Sequence, residues 1–175
     1  MSPWRAFALG SLAWFSGVVV AAVGGVFLGL FAPGPAATVF GAVAMGALYG
    51  LAQRRVLGAP KKLVLITAAV APIAWLLGAF VGFRLFASGL GAVAPWIEGT
   101  LIGAVLSAAQ SIVLPTERRR GFVFASVAAL GLAIGPMLAP AAPVFLRLFA
   151  MLVPGLFAAA LAARLDRLCT RCRFS

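Results

Sequence analysis

The sequence of 175 residues contains no histidine, only three acidic residues and a single tyrosine. Histidine is the commonest metal ligand, the usual haem ligand and a frequent general base, so its absence argues against the usual metal and catalytic centres. Cys169 and Cys172 form one C-x-x-C pair, which has too few ligands for a closed zinc site. We therefore expect no enzymatic activity, no cofactor and no metal.

Charged residues are also scarce. They make up 10% of the chain, and none occurs in the 48 residues from Ala6 to Gln53. Hydrophobic residues make up 64%, and the mean hydropathy is +1.14. A helix needs about 20 apolar residues to cross a hydrocarbon core about 30 Å thick, so this composition is typical of a membrane protein.

Charges and prolines divide the chain into six predicted transmembrane helices. We expect these helices at about residues 6–32, 36–53, 63–83, 94–114, from 122 to the proline-rich segment 136–143, and 144–163. The first apolar run is too long for a secretory signal and is interpreted as a retained helix. The predicted fold is an all-α, polytopic membrane helix bundle in one domain, residues 1–175, with hairpins at about 6–53, 63–114 and 122–163 and a basic tail at 164–175.

The positive charges predict the orientation. Of the 14 Lys and Arg residues, 12 lie before helix 1, after helix 2, after helix 4 or after helix 6. Only Arg84 and Arg147 fall on the opposite side. Because cytoplasmic loops are enriched in Lys and Arg, both termini are expected in the cytoplasm and the loops near Pro33 and Pro140 outside. The basic loops are also expected to bind anionic lipids. The net charge of +11 is attributed to this topology and not to nucleic-acid binding.

The chain contains an internal repeat. The pattern Ala42-x3-Gly46-x3-Gly50-x2-Gln53 recurs 57 positions later as Gly99-x3-Gly103-x3-Ser107-x2-Gln110, and a weaker third copy reads Gly155-x3-Ala159-x3-Ala163-x2-Asp166. A repeat with two spans keeps its orientation, so the copies are expected to be related by an axis along the membrane normal. Whether the third hairpin is a true repeat is left open by the sequence.

Small and polar residues of the repeat suggest how the helices associate. Small residues four positions apart allow close helix packing in lipid, which is the role expected for Gly46, Gly50, Gly99, Gly103, Ser107 and Gly155. Such faces also serve homo-oligomers, which remain the alternative. The polar residues at the ends of the repeats, Gln53, Gln110 and Asp166, are expected to make polar contacts between helices or to line a polar vestibule.

Glu98 is an acidic residue near the predicted outer end of helix 4. A carboxylate is stabilised there by the helix N-terminus, which gives a capping role. The alternative is that Glu98 pairs with Arg84 or Arg147 and forms, with them, a ligand-binding site open to the outside.

Two segments of the repeat resemble a motif of known proteins. They are Gly50-Leu51-Ala52-Gln53-Arg54-Arg55-Val56-Leu57 and Ser107-Ala108-Ala109-Gln110-Ser111-Ile112-Val113-Leu114. They are similar to the repeated G-x-x-Q-W-x-V-L element of uncharacterised bacterial multi-helix membrane proteins, with Arg54 and Ser111 in place of the tryptophan. The resemblance covers the first four helices. It implies a multi-pass architecture in the bacterial inner membrane and no particular activity.

Two functions agree with these features. The parallel repeat, the prolines within helices and the few intramembrane polar residues favour a small-solute transporter or the membrane subunit of one. The alternative is an accessory or scaffold subunit of a larger membrane complex, for which the small-residue faces and the basic tail would provide contacts. An intramembrane enzyme is not expected, since no G-x-S-x-G or H-E-x-x-H element is present.

Overall fold

The computed structural model describes residues 1–31, 35–114, 116–139 and 142–171. Within these residues the chain forms six α-helices and no β-strand. The helices are α1 (Pro3–Phe31), α2 (Pro35–Leu57), α3 (Lys62–Ala87), α4 (Ala94–Ser111), α5 (Thr116–Leu138) and α6 (Val144–Arg171). The all-α class predicted from the sequence is therefore confirmed.

Most helices extend beyond their predicted ends because the charges that limit an apolar run do not end a helix. Arginine and lysine are good helix formers, so α2 includes Arg54 and Arg55 and α5 starts before the Arg118–120 run. The segment expected as a basic tail is helical as far as Arg171. α4 is shorter than expected, since it ends at Ser111.

Two helices are followed by a glycine with a positive φ angle. Gly58 (φ +63°) follows α2, and Gly89 (φ +84°) follows α3. In each case the amide of the next residue donates to a carbonyl five residues earlier: Ala59 to Arg54 at 3.1 Å, and Leu90 to Leu85 at 2.9 Å. This is the Schellman arrangement, in which glycine adopts the left-handed conformation at little cost.

The six helices form a ring. Each helix packs against the next one in the chain, α1 packs against α6 to close the ring, and α2 also contacts α6. The main buried cluster lies inside the ring and includes Trp14, Tyr49, Ile102, Leu106 and Leu130.

Two smaller buried clusters collect chain segments at one end of the ring. One contains Ala6, Val56 and Ala162, which lie near the start of α1 and the ends of α2 and α6. The other contains Leu57, Leu63, Leu114 and Phe122, which lie around the connections α2–α3 and α4–α5.

The outer surface of the ring is apolar. Along α3 alone, large apolar side chains are exposed at Leu65, Ile73, Leu76, Leu77, Phe80, Phe83 and Phe86. Among the described residues, three helical segments are long and apolar enough to cross a membrane: Pro3–Gly24, Lys62–Ala87 and Val144–Arg164. Since outward apolar faces of this extent need a lipid environment, the chain is a membrane protein.

α4 contributes many residues to the interior of the ring. Eight of the 18 residues of α4 are buried: Ala94, Pro95, Gly99, Ile102, Gly103, Leu106, Ser107 and Gln110. Most of these are small or polar, which lowers the hydropathy of the helix, and Ser107 and Gln110 lie inside the ring. The small and polar residues of α4 are therefore explained by its close packing against the adjacent helices.

Candidate functional site

The centre of the ring contains a hydrogen-bonded group of three buried polar side chains. The Nε2 atom of Gln110 on α4 donates to Oε1 of Gln53 on α2 at 2.5 Å and to Oγ1 of Thr67 on α3 at 2.8 Å. Gln53 is 5% exposed, and Gln110 and Thr67 are fully buried. One amide group therefore connects three helices.

These contacts use every side-chain amide in the protein. The sequence has no asparagine, and its only two glutamines occupy equivalent positions of the repeat, 57 residues apart. Both follow a run of small residues that brings α2 and α4 close to their neighbours. The bond between Gln53 and Gln110 is a polar helix contact of the type expected from the sequence.

Thr67 was not identified by the sequence reasoning. Its hydroxyl donates to the carbonyl oxygen of Leu63 at 2.6 Å, so its oxygen remains able to accept the bond from Gln110. The signal was present in the sequence, because Thr67 is the only uncharged side chain with a hydroxyl or amide group within α3. A single hydroxyl in an apolar helix often forms a hydrogen bond only to a carbonyl of its own helix. The residue type alone therefore does not predict the bond between Thr67 and Gln110.

A further set of buried hydroxyls lies one helical turn away from the glutamines. Tyr49 precedes Gln53 on α2, Ser107 precedes Gln110 on α4, and the hydroxyl of Ser126 on α5 lies close to that of Tyr49. All three residues are buried. We call the six side chains of Tyr49, Gln53, Thr67, Ser107, Gln110 and Ser126 the polar cluster.

Several atoms of the polar cluster have no hydrogen-bond partner among the described residues. They are Tyr49 Oη, Gln53 Nε2, Ser107 Oγ, Gln110 Oε1 and Ser126 Oγ. A buried polar atom without a partner costs about 1–3 kcal/mol, so a native protein needs a reason to retain several in one place. The polar cluster carries no formal charge, and its free atoms include both donors and acceptors. It is suited to a neutral hydrogen-bonding molecule.

Two small cavities between the helices adjoin the polar cluster. The inner cavity is lined by Gln53 and Tyr49 of α2, with Gly10, Ala52, Val56, Pro154, Phe157, Ala158 and Leu161. The outer cavity is lined by Tyr49 and Trp14, with Met45, Gly46, Ala71, Trp75, Ile102, Leu106, Leu130 and Ile134. Each has a cavity volume of about 10 Å³.

The three charged residues predicted to form an outer ligand site have different neighbours. The Glu98 side chain packs against α3, with its carboxylate beside Gly82 and its Cγ beside Gly78. The Arg84 guanidinium lies 5.9 Å from the centre of the Phe80 ring. Arg147 Nη2 donates to the carbonyl oxygen of Ala139 at 3.2 Å. Glu98 thus contributes to the contact between α3 and α4, and a site shared by the three residues stays a prediction.

The small residues expected to pack helices lie at interfaces. A Cβ atom on Gly46 would lie 2.7 Å from the carbonyl oxygen of Thr67 on α3, and one on Gly103 would lie 3.1 Å from that of Val127 on α5. Gly50 also faces α3, and Gly99 faces α5. Gly155 lies against Phe7 and Ser11 of α1. Ser107 is fully buried.

The remaining candidate residues lie near the end of the chain or in loops. Asp166 and Cys169 are on α6, and their side chains lie outside the described part of the structure, as do Cys172 and the segments around Pro33 and Pro140. Within the described residues, no group of three or more His, Cys, Asp or Glu side chains is placed to hold a metal ion.

Comparison with known proteins gives no relative: no protein-family model, no curated protein and no solved structure matches this chain.

Proposed function

We propose that the chain is a six-span protein of the bacterial inner membrane with both termini in the cytoplasm, built from two-helix hairpin repeats. The charge distribution supports this orientation, because the basic segments belong to the end of the ring where the two smaller buried clusters lie. α4 is the shortest helix, and 18 residues at 1.5 Å each give about 27 Å, close to the thickness of the hydrocarbon core. Its polar residues Ser107 and Gln110 are buried inside the ring.

Cysteine labelling in intact cells tests the orientation. Single cysteines at Gly34 and Ala141 should react with a membrane-impermeant thiol reagent, and one at Ala59 should react only after the membrane is opened. The native cysteines are first replaced by serine to remove background. Protection at Gly34 and Ala141 together with labelling at Ala59 would reverse the proposed topology.

We further propose that the protein is a small-solute transporter, or the membrane subunit of one, and that the polar cluster is where the solute is held. The supporting observation is the set of buried, uncharged side chains with free hydrogen-bonding atoms. Polar groups inside a membrane protein are costly and usually belong to a substrate or ion pathway. Proline residues within α3, α5 and α6 allow these helices to bend around such a pathway.

Flux measurements test the transport function. The purified protein in liposomes should increase the uptake of small neutral solutes above that of protein-free liposomes, and Ser107→Ala or Gln110→Met should reduce it. Leu132→Ala is a matched control, since Leu132 is an exposed apolar residue outside the polar cluster. Uptake that is equal in the variants and in the control would exclude the polar cluster from transport.

An accessory subunit of a larger complex is the second proposal. It is favoured by the small size of the two cavities found among the described residues, which leave no room for a molecule larger than water. Native mass spectrometry of protein extracted gently from its own membrane separates the two. A stoichiometric protein partner supports the accessory role, and a bound small molecule without a partner supports transport. The same spectra report a homo-oligomer and bound anionic lipid.

A further inference from the structure

Two opposite charges lie near the same end of neighbouring helices. Apart from Lys62 at the start of α3, the only charged residues of α3 and α4 are Arg84 and Glu98. Arg84 is three residues before the end of α3 and Glu98 is four residues after the start of α4, which at 1.5 Å per residue places them about 4.5 Å and 6 Å from these helix ends. The two helices pack side by side and follow each other in the chain, so both charges lie at nearly the same depth.

The two side chains lie on different sides of α3. Glu98 packs against Gly78 and Gly82, which belong to the buried face of that helix. Arg84 lies two residues after Gly82, which is about 160° away around the helix axis. Its guanidinium lies over the ring of Phe80, which is 62% exposed. Arg84 therefore belongs to the outward face of α3, and the two charges do not face each other within one chain.

Neither charge has a partner of opposite sign among the described residues. The Glu98 carboxylate takes part in no hydrogen bond and no ion pair there, and the Arg84 guanidinium has only its contact with the Phe80 ring. Glu98 also lies beyond the first turn of α4 and makes no capping hydrogen bond. Charges inside the membrane are costly and are nearly always paired. One chain thus carries two complementary charges that it leaves unpaired.

We propose that two copies of this chain associate through the outward face of α3, with Arg84 of each copy paired to Glu98 of the other. All copies insert in the same orientation, so a symmetric dimer has its two-fold axis along the membrane normal and joins residues of equal depth. Arg84 and Glu98 meet this condition, and the interface contains their pair twice. The exposed rings of Phe80 and Phe83 supply apolar contact on the same helix.

Apolar contact alone gives little drive for association in lipid, so the two charge pairs set the register of the dimer. This inference goes beyond the proposed transport function and does not depend on it. Förster transfer in liposomes tests it, with donor or acceptor tags at the C-terminus of each copy and with lipid added at constant protein. The unmodified protein should associate, and the dependence on lipid gives its association constant.

Glu98→Arg and Arg84→Glu should each lower the association constant at least about ten-fold, because a dimer of either variant opposes two pairs of like charges. Lys62→Glu is the matched control. It reverses an exposed charge at the other end of the same helix and should leave association unchanged.

Mixing the two single variants distinguishes pairing between copies from pairing within a copy. In a dimer of Glu98→Arg with Arg84→Glu, each contact again joins a basic to an acidic side chain. Association should therefore recover on mixing, and the recovery would also show that both variants fold.

An unmodified protein that stays monomeric at every lipid content would overturn the proposal. So would a failure to recover on mixing, and recovery confined to the double variant Glu98→Arg/Arg84→Glu would place the pair within one chain. Association that is equal in all variants would exclude the two charges from the interface. The measurement uses no solute, so its outcome is independent of the uptake experiment.

Discussion

The bond between the two glutamines gives the sharpest energetic prediction. Gln110 donates two hydrogen bonds and Gln53 accepts one of them, so the two residues contribute unequally. Replacement by methionine keeps the length of the side chain and removes its polar atoms. Gln110→Met breaks both bonds and leaves the Gln53 amide without a partner, whereas Gln53→Met breaks one bond and leaves Gln110 bonded to Thr67.

The magnitudes follow from the cost of each event. A side-chain hydrogen bond within a membrane protein contributes on average about 0.6 kcal/mol, and a buried polar group left without a partner costs about 1–3 kcal/mol. Gln110→Met should therefore lower the free energy of unfolding by about 2–4 kcal/mol, and Gln53→Met by about 1 kcal/mol. The double variant loses both bonds but contains no orphaned amide. It should be at least as stable as Gln110→Met.

The free energy of unfolding of the four proteins in this double-mutant cycle is measured by adding SDS to mixed micelles and following the loss of helix by circular dichroism. Leu106→Met is a control for introducing methionine in the same buried region, since Leu-to-Met changes nearly conserve volume. Losses that add up, so that the double variant is the least stable by the sum of the two, would show that the amides do not interact and would refute the reasoning.

Three further predictions concern packing, the outer end of the bundle and lipid. Gly46→Ala should lower the free energy of unfolding by about 1–3 kcal/mol, because the added methyl group would lie 2.6–2.7 Å from atoms of α3. Gly17→Ala is the control and should cost less, since no atom lies nearer than 3.3 Å to the added methyl group. Equal losses of stability in SDS unfolding would contradict this prediction. Glu98→Gln should leave expression and folding intact and should change solute uptake in liposomes only if the outer end of α4 takes part in binding. Replacing the exposed Lys61 and Lys62 by alanine should reduce the anionic lipid retained in native mass spectra, with zwitterionic lipid unaffected.

Much of the fold could be predicted from the sequence because lipid imposes strong rules. A helix is the only structure that satisfies every backbone group of an isolated span, so apolar length identified the helices. The positions of helix ends were less well predicted. Arg54, Arg55 and Arg164 mark where an apolar segment leaves the membrane, but their backbones continue in helical conformation.

The candidate site was predicted only in part. The repeat pointed to Gln53 and Gln110, since equivalent polar residues in two apolar helices need partners. Thr67 and Ser126 belong to other helices and lie outside any repeated pattern, so their contribution could be found only from packing. The proposed pairing of Glu98 with an arginine rested on charge alone, and the structure gives its carboxylate a glycine of α3 as neighbour.

The sequence by itself determined that this chain is helical, that it requires lipid and that it contains no histidine, because these properties depend on composition and on the length of apolar segments. Only the tertiary structure decided which polar groups meet. Whether a hydroxyl or an amide faces lipid, a neighbouring backbone or a cavity depends on the rotation of each helix within the ring, and that rotation is fixed by close contacts of small residues such as Gly46 and Gly103. Those contacts bring Tyr49, Gln53 and Gln110 to the centre of the bundle, where all three side chains are buried.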